Sequence, residues 1–378
     1  MKTNILYLVI IVYWLFHLYV WYRIKTIFSL GWRGQSVAFV TLMLLCFTFM
    51  LSRLFNLWGW FPPGQILFRL GSTWLGLFFI FFCLKSLLWI VEVATGWRLG
   101  RDRPAVWSAT VGCAVLINVF GYFEAQNMTV TRLTMTTPSM ATDTPPVNIM
   151  QISDAHYGQW VSLSRHEWLL EQVQKEQPDL IVVTGDFIDF EGDSQGRFMD
   201  QWRSVRPPLG KLAVLGNHET LSGIPASLAW LERGGFKVLR NEVVTFDGFS
   251  VIGWDDPTVS RYEIPLDRIG PIHPVQPGEC MLLLHHQPVW PPHLAGAFDL
   301  GLAGHTHGGQ IFPFGLVVFL TNGVLSGLQS TSWGGWYFIS RGAGTWGPPV
   351  RLGAPPEVTL LTLSHGKKKN VSFAQPDP

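Results

Sequence analysis

The residues with the most chemical potential stand where short apolar runs end. Asp154 and His156 follow VNIMQIS (147–153), and Asp186 and Asp189 follow LIVVTG (180–185). Asn217 and His218 follow KLAVLG (211–216), His286 ends MLLLHH (281–286), and His305 ends LGLAGH (300–305) with His307 two residues on. In extended chain, residues i and i+2 point to one side, so His305 and His307 would face the same spot. A single Asp or His after a strand is commonly a turn or cap residue. Five strand ends each offering a hard oxygen or imidazole ligand are not explained that way. The set contains no thiolate: Cys46, Cys83 and Cys113 lie in long apolar stretches, and Cys280 is alone. Carboxylate, carboxamide and imidazole suit divalent Mn, Fe or Zn. There are too many ligands for one ion and enough for two, and two ions roughly 3.5–4 Å apart can activate a hydroxide and clamp phosphoryl oxygens.

The elements that must position these side chains alternate as strand and helix. PASLAWLERGG (225–235) predicts a helix with a glycine C-cap, and VVTFDGFSVIGW (243–254) a hairpin turning at Asp247–Gly248. The expectation is one large α/β domain over residues 147–365, its polar residues gathered at the carboxyl edge of the sheet, where ligands bind. Residues 128–146, with MTTPSMATDTPP, read as a Ser/Thr/Pro-rich linker. Residues 366–378, with Lys367–Lys369, read as a solvated tail.

In order, S-D-A-H (153–156), G-D-F-I-D (185–189), G-N-H-E (216–219), H-Q-P (286–288) and G-H-T-H (304–307) resemble the motif set of the calcineurin-like metallophosphoesterases. GHTHGGQ (304–310) and YFISRGAGTWGPPVRLGAPPEVTLLTL (337–363) look like the exported and membrane-attached bacterial branch of that family. The resemblance implies an αββα sandwich with a dinuclear site. Asp154, His156 and His307 would bind one metal, Asn217, His286 and His305 the other, and Asp186 would bridge them. A bridging hydroxide would attack phosphorus in line. His218 would stabilise developing charge or protonate the leaving group, with Asp189 orienting it. Protein Ser/Thr phosphatases of the superfamily carry Arg where this chain has Phe190 and Leu215, so phosphoprotein hydrolysis is not expected. Arg341 and Arg351 are the candidate phosphate contacts. His285 is expected on the opposite side of its strand from His286, and Glu219 off the metals.

The first third of the chain has a different character. Ile5–Tyr22, Ser36–Ser52, Ser72–Val91 and Ala105–Phe123 each approach the roughly 20 apolar residues that cross a bilayer, predicting a four-helix transmembrane region over residues 1–127. Arg23, Lys25 and Arg33 in the first loop and Arg98, Arg101 and Arg103 in the third outweigh Arg53, Arg69 and Lys2. The bias places loops one and three in the cytoplasm and everything after residue 124 outside, as in a bacterial inner membrane with an extracytoplasmic domain. Residues 1–127 hold ten Lys/Arg against three Asp/Glu, leaving seventeen against twenty-three in the remainder. That mildly acidic remainder offers no nucleic-acid surface. Lys85 and Glu92 lie seven residues apart in the third span, where a polar neighbour such as Asn118 is the simplest partner for Lys85.

IFPFGLVVFL (311–320) is apolar beside the ligand set. It reads either as a buried strand or hairpin, or, with Trp333, Trp336 and Trp346, as an apolar wall at the site mouth. The leading reading is a membrane-anchored, metal-dependent phosphoesterase acting on a phosphomonoester or diester, lipid- or glycolipid-linked if the wall is real. The alternative is a degenerate enzyme that uses this domain to bind a ligand or partner, which the full set of ligand types disfavours. A transporter with an accessory domain has little room in four spans with so few polar residues.

Overall fold

The chain was analysed as a computed structural model that describes residues 2–158, 163–189, 194–259, 280–289 and 294–374. One compact unit holds the helices α1 (Lys2–Ile27), α2 (Trp32–Leu57), α3 (Phe61–Thr95) and α4 (Pro104–Glu124). Among the described residues, three segments are long and apolar enough to cross a membrane: Trp32–Ser52, Pro62–Thr95 and Pro104–Glu124. The four expected spans therefore reduce to three on this criterion. The helix α1 runs unbroken for 26 residues, but the side chains of residues 2–9 lie outside those described. Charge inside this unit resolves onto the loop after α3. Lys85 Nζ donates to the Arg101 carbonyl at 2.5 Å and sits 4.6 Å from the Trp107 ring, so its partner is not Asn118. Glu92 pairs with Arg101 at 3.3 Å. Arg23, near the end of α1, pairs with Asp102.

The second unit is a two-sheet sandwich. Its first strands are β1 (Thr129–Thr137), β2 (Val147–Ile152), β3 (Leu180–Thr184), β4 (Lys211–Val214) and β5 (Lys237–Val238). Then come β6 (Glu242–Phe246), β7 (Phe249–Gly253), β8 (Cys280–Leu284), β9 (Leu300–Ala303), β10 (Gly327–Ser330) and β11 (Trp336–Ile339). The chain closes with β12 (Glu357–His365) and β13 (Asn370–Ala374). One sheet has the order β13-β1-β12-β2-β3-β4-β5 and the other β10-β11-β9-β8-β7-β6. Strands β2 to β5 are mutually parallel, as are β7, β8, β9 and β11. Parallel strands carry their C-terminal residues to one edge, which is what separate motifs need in order to meet.

Period-two alternation builds the layers. Leu180 and Val182 face the inter-sheet core with Leu282, Leu284, Leu300 and Leu302. Ile181 and Val183 face the opposite way, with Leu169, Trp202 and Leu231. Those three come from the helices α5 (Leu163–Glu176), α6 (Ser194–Ser204) and α8 (Ile224–Arg233), while α7 (Asn217–Ser222) follows β4. Met281 and Leu283 turn to the outer face of the second sheet, under Leu294 and Phe298. Among the described residues a short turn around Leu294 and Phe298 lies on that face.

Two expected boundaries change. The supposed linker contains β1, parallel to β12 and antiparallel to β13, and the supposed tail supplies β13. The residues TVTRLTMTT alternate in burial, with Leu133 and Met135 fully inside. Thr and Val favour the pleated surface that this position offers. The tether between α4 and β1 thus shrinks to residues 125–128. The run 311–320 is not a buried strand: it enters a helix, α9 (Gly315–Asn322), none of whose residues is buried. If β1 belongs to the sheet, Leu133→Ala should cost about 2–5 kcal/mol, read as a lowered melting temperature of the detergent-solubilised protein. Thr134→Ala, whose side chain is exposed, should leave that temperature in place.

Candidate metal centre

The ends of β2, β3, β4, β8 and β9 meet at one edge. Asp154, His156 and His307 form one group whose ligand atoms all lie within 4.8 Å of one another, and Asp186, His286 and His305 form a second. Asn217 joins the second group, its Oδ1 3.1 Å from His286 Nε2. His156 Nε2 and His307 Nε2 stand 3.1 Å apart, His286 Nε2 and His305 Nδ1 3.2 Å, and His286 Nε2 and Asp186 Oδ2 3.1 Å. All seven residues expected to hold metal are therefore in two adjoining sets. Nitrogens of different imidazoles crowd into the same space, the disposition of a ligand set sharing a cation. His286 fits this role in detail. Its Nδ1 donates to the Thr184 carbonyl at 2.9 Å, which turns Nε2 toward Asp186 and Asn217, where a bound ion would replace its proton. A third cluster, His156, Asp189 and His218, contains the expected proton-handling pair, with His218 Nδ1 3.0 Å from Asp189 Oδ1.

The backbone under these side chains is strained. Asp154, His156, Asp186, His305 and His307 all have φ between 50° and 72°, in the left-handed region. Such residues cost of order 1–3 kcal/mol each and persist where the surroundings over-determine them. Here Glu219 supplies much of the constraint. Its buried carboxylate accepts N–H groups from Asp186 at 2.9 Å, Phe187 at 2.8 Å, Ile188 at 2.9 Å and Gly216 at 2.7 Å. One side chain thereby ties the G-D-F-I-D turn to the start of α7. The sequence G-N-H-E signals only the Gly216 part of this role, a Glu at the third position of a helix reaching back to its N-cap. At Gly216 and Gly304 the approach is too close for a side chain. A Cβ at Gly216 would lie 2.2 Å from Asp186 Oδ1, and one at Gly304 2.1 Å from Asp154 Oδ2.

Charge at the edge is set by burial and mutual proximity. Burial, then the Asp186 charge, raise Asp154 above the usual carboxylate range. Burial also acts upward on Asp186, but the His286 and His218 charges outweigh it and hold it well below that range. His307 is depressed by burial and by its His156 and Arg351 neighbours, which keeps it neutral as a ligand must be. Burial lowers His218, yet Asp186 and the hydrogen bond with Asp189 prevail and set it at about 9. Asp189 is raised by burial but brought to about 2 by hydrogen bonds with His156 and His218.

A family model for the calcineurin-like phosphoesterases matches residues 147–309. An uncharacterised metallophosphoesterase of Aquifex aeolicus is 35% identical over 257 residues, 66% of this chain and 97% of that protein. The chain belongs to the calcineurin-like phosphoesterases. Members of this family hydrolyse phosphoester bonds and generally bind a dimetal centre, for which this chain presents the ligand groups. It is also 31% identical over 220 residues to an uncharacterised metallophosphoesterase of Helicobacter pylori, covering 57% of this chain and 60% of that protein. A Bos taurus transmembrane protein with a metallophosphoesterase domain is 28% identical over 330 residues, 77% of this chain and 72% of that protein.

Within this phosphoesterase two expected phosphate contacts are placed otherwise. Arg351 is fully buried and donates to backbone carbonyls: Gly344 at 2.6 Å, Ala354 and Arg341 at 2.8 Å, Gly342 at 3.1 Å and His307 at 3.2 Å. Its Nη2 also lies 3.3 Å from His307 Nδ1. It braces the loop that carries a ligand and has no donor to offer a substrate. Arg341 is engaged by Glu357 through both its backbone N–H and its guanidinium. Phe190 lies outside the described residues, and Leu215 is buried in the core. Of the three expected wall tryptophans, only Trp346 stands by the site, its ring 6.2 Å from that of His218. Trp333 packs on Phe298, and Trp336 pairs with Leu300 at the N-terminal end of β9, away from the carboxyl edge. His285 is buried with Nδ1 3.2 Å from the Trp254 carbonyl, apart from the ligand groups as expected.

If Arg351 is a brace, Arg351→Lys should weaken metal binding about 10- to 100-fold, the range for lost outer-sphere support. Metal titration of the apoprotein measures this, with circular dichroism confirming the fold. A raised KM with unchanged metal affinity would return Arg351 to the role of substrate contact.

Proposed function

We propose that this protein is a membrane-anchored phosphoesterase in which Asp154, His156 and His307 hold one divalent ion, Asn217, His286 and His305 hold another, and Asp186 serves both. The observation that carries this reading is the convergence of all seven side chains into two adjoining groups with only hard donors. Mn, Fe and Zn fit such donors. Bound ions supply Lewis-acid charge for phosphoryl oxygens and make water acidic enough to attack near neutral pH.

The chain's own residues do the rest. His218, raised to about 9, carries a proton at pH 7 and keeps its Nδ1–H on Asp189. That leaves the Nε2 proton for a leaving alkoxide or for the charge developing on phosphorus-bound oxygen. Asp189 positions the ring and does not compete for its proton, because its own hydrogen bonds bring it to about 2. Asn217 is a neutral ligand, so it coordinates without cancelling the charge that attracts a phosphate.

Anchoring through four helices, with α1 as a span, is supported by their apolar composition and by the match to the bovine transmembrane protein. That match covers more of the chain than residues 123–378 contain. The basic first and third loops favour a bacterial inner membrane with the phosphoesterase unit on the extracytoplasmic side. A reporter fused at the C-terminus should be active only outside the cytoplasm, and activity inside would reverse the orientation. The substrate is a phosphomonoester or diester, and the exposed apolar surface beside the site favours one carried on a lipid or glycolipid.

The purified full chain loaded with Mn²⁺, Fe²⁺ or Zn²⁺ should hydrolyse a p-nitrophenyl phosphodiester or monoester, and chelation should abolish turnover. Asp186→Asn should remove both metal and activity. His218→Asn should retain metal while lowering kcat by about 10²–10⁴. Full physiological function in the Asp186→Asn chain would instead identify a domain that only binds a ligand.

A further inference from the structure

Between His307 and Arg341 the chain holds no Asp, Glu, Lys or Arg, although the unit around it carries both signs in abundance. In the middle of that neutral stretch, α9 (GLVVFLTN) stands free. Leu320 and the preceding Phe312 are 74% exposed, Leu316 is 64% exposed, and Val317 and Phe319 are exposed as well. At 100° per residue these positions, with Val318, surround the helix instead of forming one stripe. A helix that docks in a protein groove is apolar on one face and polar on the other, whereas one apolar all round belongs in a core or a membrane. Among the described residues no core covers it.

Its polar groups are already satisfied from within. Thr321 donates to the carbonyls of Val317 and Val318 at 3.0 Å, and Asn322 Nδ2 donates to the Val318 carbonyl at 3.1 Å. The Gly323 N–H closes on the Phe319 carbonyl at 2.7 Å. This is what an apolar medium demands of a backbone that enters it. The 8-residue helix is about 12 Å long, enough to enter one leaflet and far short of the roughly 30 Å core. Its N-terminal side is fixed to the metal-site loops. Gly309 packs so near Gly315 that a Cβ on the former would meet the Cα of the latter at 2.4 Å. Gln310 holds Trp346, itself 52% exposed, by two hydrogen bonds to its backbone, 2.9 Å and 3.0 Å. The four residues between α4 and β1 span no more than about 18 Å.

We propose that α9, with Phe312, is a lipid-inserted element that seats the rim of the metal site in the outer part of a bilayer. This rests on the membrane-anchored phosphoesterase reading for its consequence, the delivery of a membrane-borne phosphoester to the site, but not for its test. The full chain is reconstituted in vesicles of phosphatidylethanolamine and phosphatidylglycerol, with photoreactive benzoylphenylalanine in place of Leu316 or Leu320. Leu163, an exposed residue on α5, carries the same probe as control. Lipid adducts at 316 and 320 should exceed those at 163 by about tenfold or more, as for a side chain buried in acyl chains. Adducts equal to the control, or crosslinked protein dimers without lipid adducts, would overturn the proposal. Crosslinking needs no turnover, so a failed activity assay would count against the phosphoesterase reading and leave insertion standing. In a second arm, Leu316→Ser, Val317→Ser, Phe319→Ser and Leu320→Ser are combined. Hydrolysis of a soluble p-nitrophenyl phosphodiester should persist while hydrolysis of a vesicle-borne phosphoester falls. Equal loss on both substrates would count against insertion.

Discussion

Two like charges buried side by side are the constraint on which this architecture turns. Asp154 and Asp186 are almost completely removed from water at the same sheet edge. Isolated carboxylates do not survive such burial as anions. Each is met by the N–H of a residue on another motif: His305 donates to both oxygens of Asp154 at 3.1 Å, and His218 donates to Asp186 Oδ1 at 2.8 Å. Ser153 adds its hydroxyl to Asp154 at 2.6 Å. The carboxylates that would bind metal therefore also fix the loops that carry the imidazoles. Ligand set and loop geometry are one problem solved by the same hydrogen bonds.

That solution explains why the ligands occupy left-handed backbone. A strand that continued in extended geometry would carry its next side chains to alternate faces. Reversing the chain sharply at Asp154, Asp186 and His305 returns successive donors to one side, at a conformational cost offset by Glu219 below the G-D-F-I-D turn and by Arg351 beneath His307. These two charged residues are buried in complementary ways. Glu219 gathers N–H groups and Arg351 gathers carbonyls, so each neutralises backbone dipoles that would otherwise face the site unpaired. Replacing either exposes several unsatisfied groups at once, which is why neither behaves as an ordinary surface charge.

The convergence of the candidate ligands was legible in the sequence because parallel strands impose a rule linking local pattern to place. An apolar run followed by Asp, Asn or His locates a residue at the carboxyl edge even when its partners lie far away in the chain. No such rule exists for β1. Its pairing with β12 joins Thr129 to Glu357, and Thr-rich chain with a Pro-rich continuation resembles a linker until that partner is known. Strand β13 is hidden for the same reason behind three lysines. The run IFPFGLVVFL is ambiguous on different grounds, since a short apolar segment has no period to separate strand from helix. Arg351 misleads because its partners are main-chain carbonyls, which sequence does not display, whereas an arginine near a phosphate site invites a phosphate. The motif keeps Glu219 off the metals, but its function in the backbone emerges only when the Asp186 turn lies against it.

The placement of the arginines bears on how an anionic substrate is held. Arg351 is sealed among carbonyls and has no donor free to clamp a phosphate, while Arg341 gives its Nη2 to Glu357. Divalent ions in both groups would bring four positive charges against the two of Asp154 and Asp186, because Asn217 and the histidines coordinate as neutral ligands. Asp189 is already answered by His218. The surplus positive charge of such ions, with the His218 proton beside it, would then attract a phosphoryl group. On the proposed reading, recognition of the remainder of the substrate would fall to the rim, where Trp346 and the neutral stretch after His307 present apolar surface. A site built this way would be general toward the phosphate and selective toward what the phosphate is attached to.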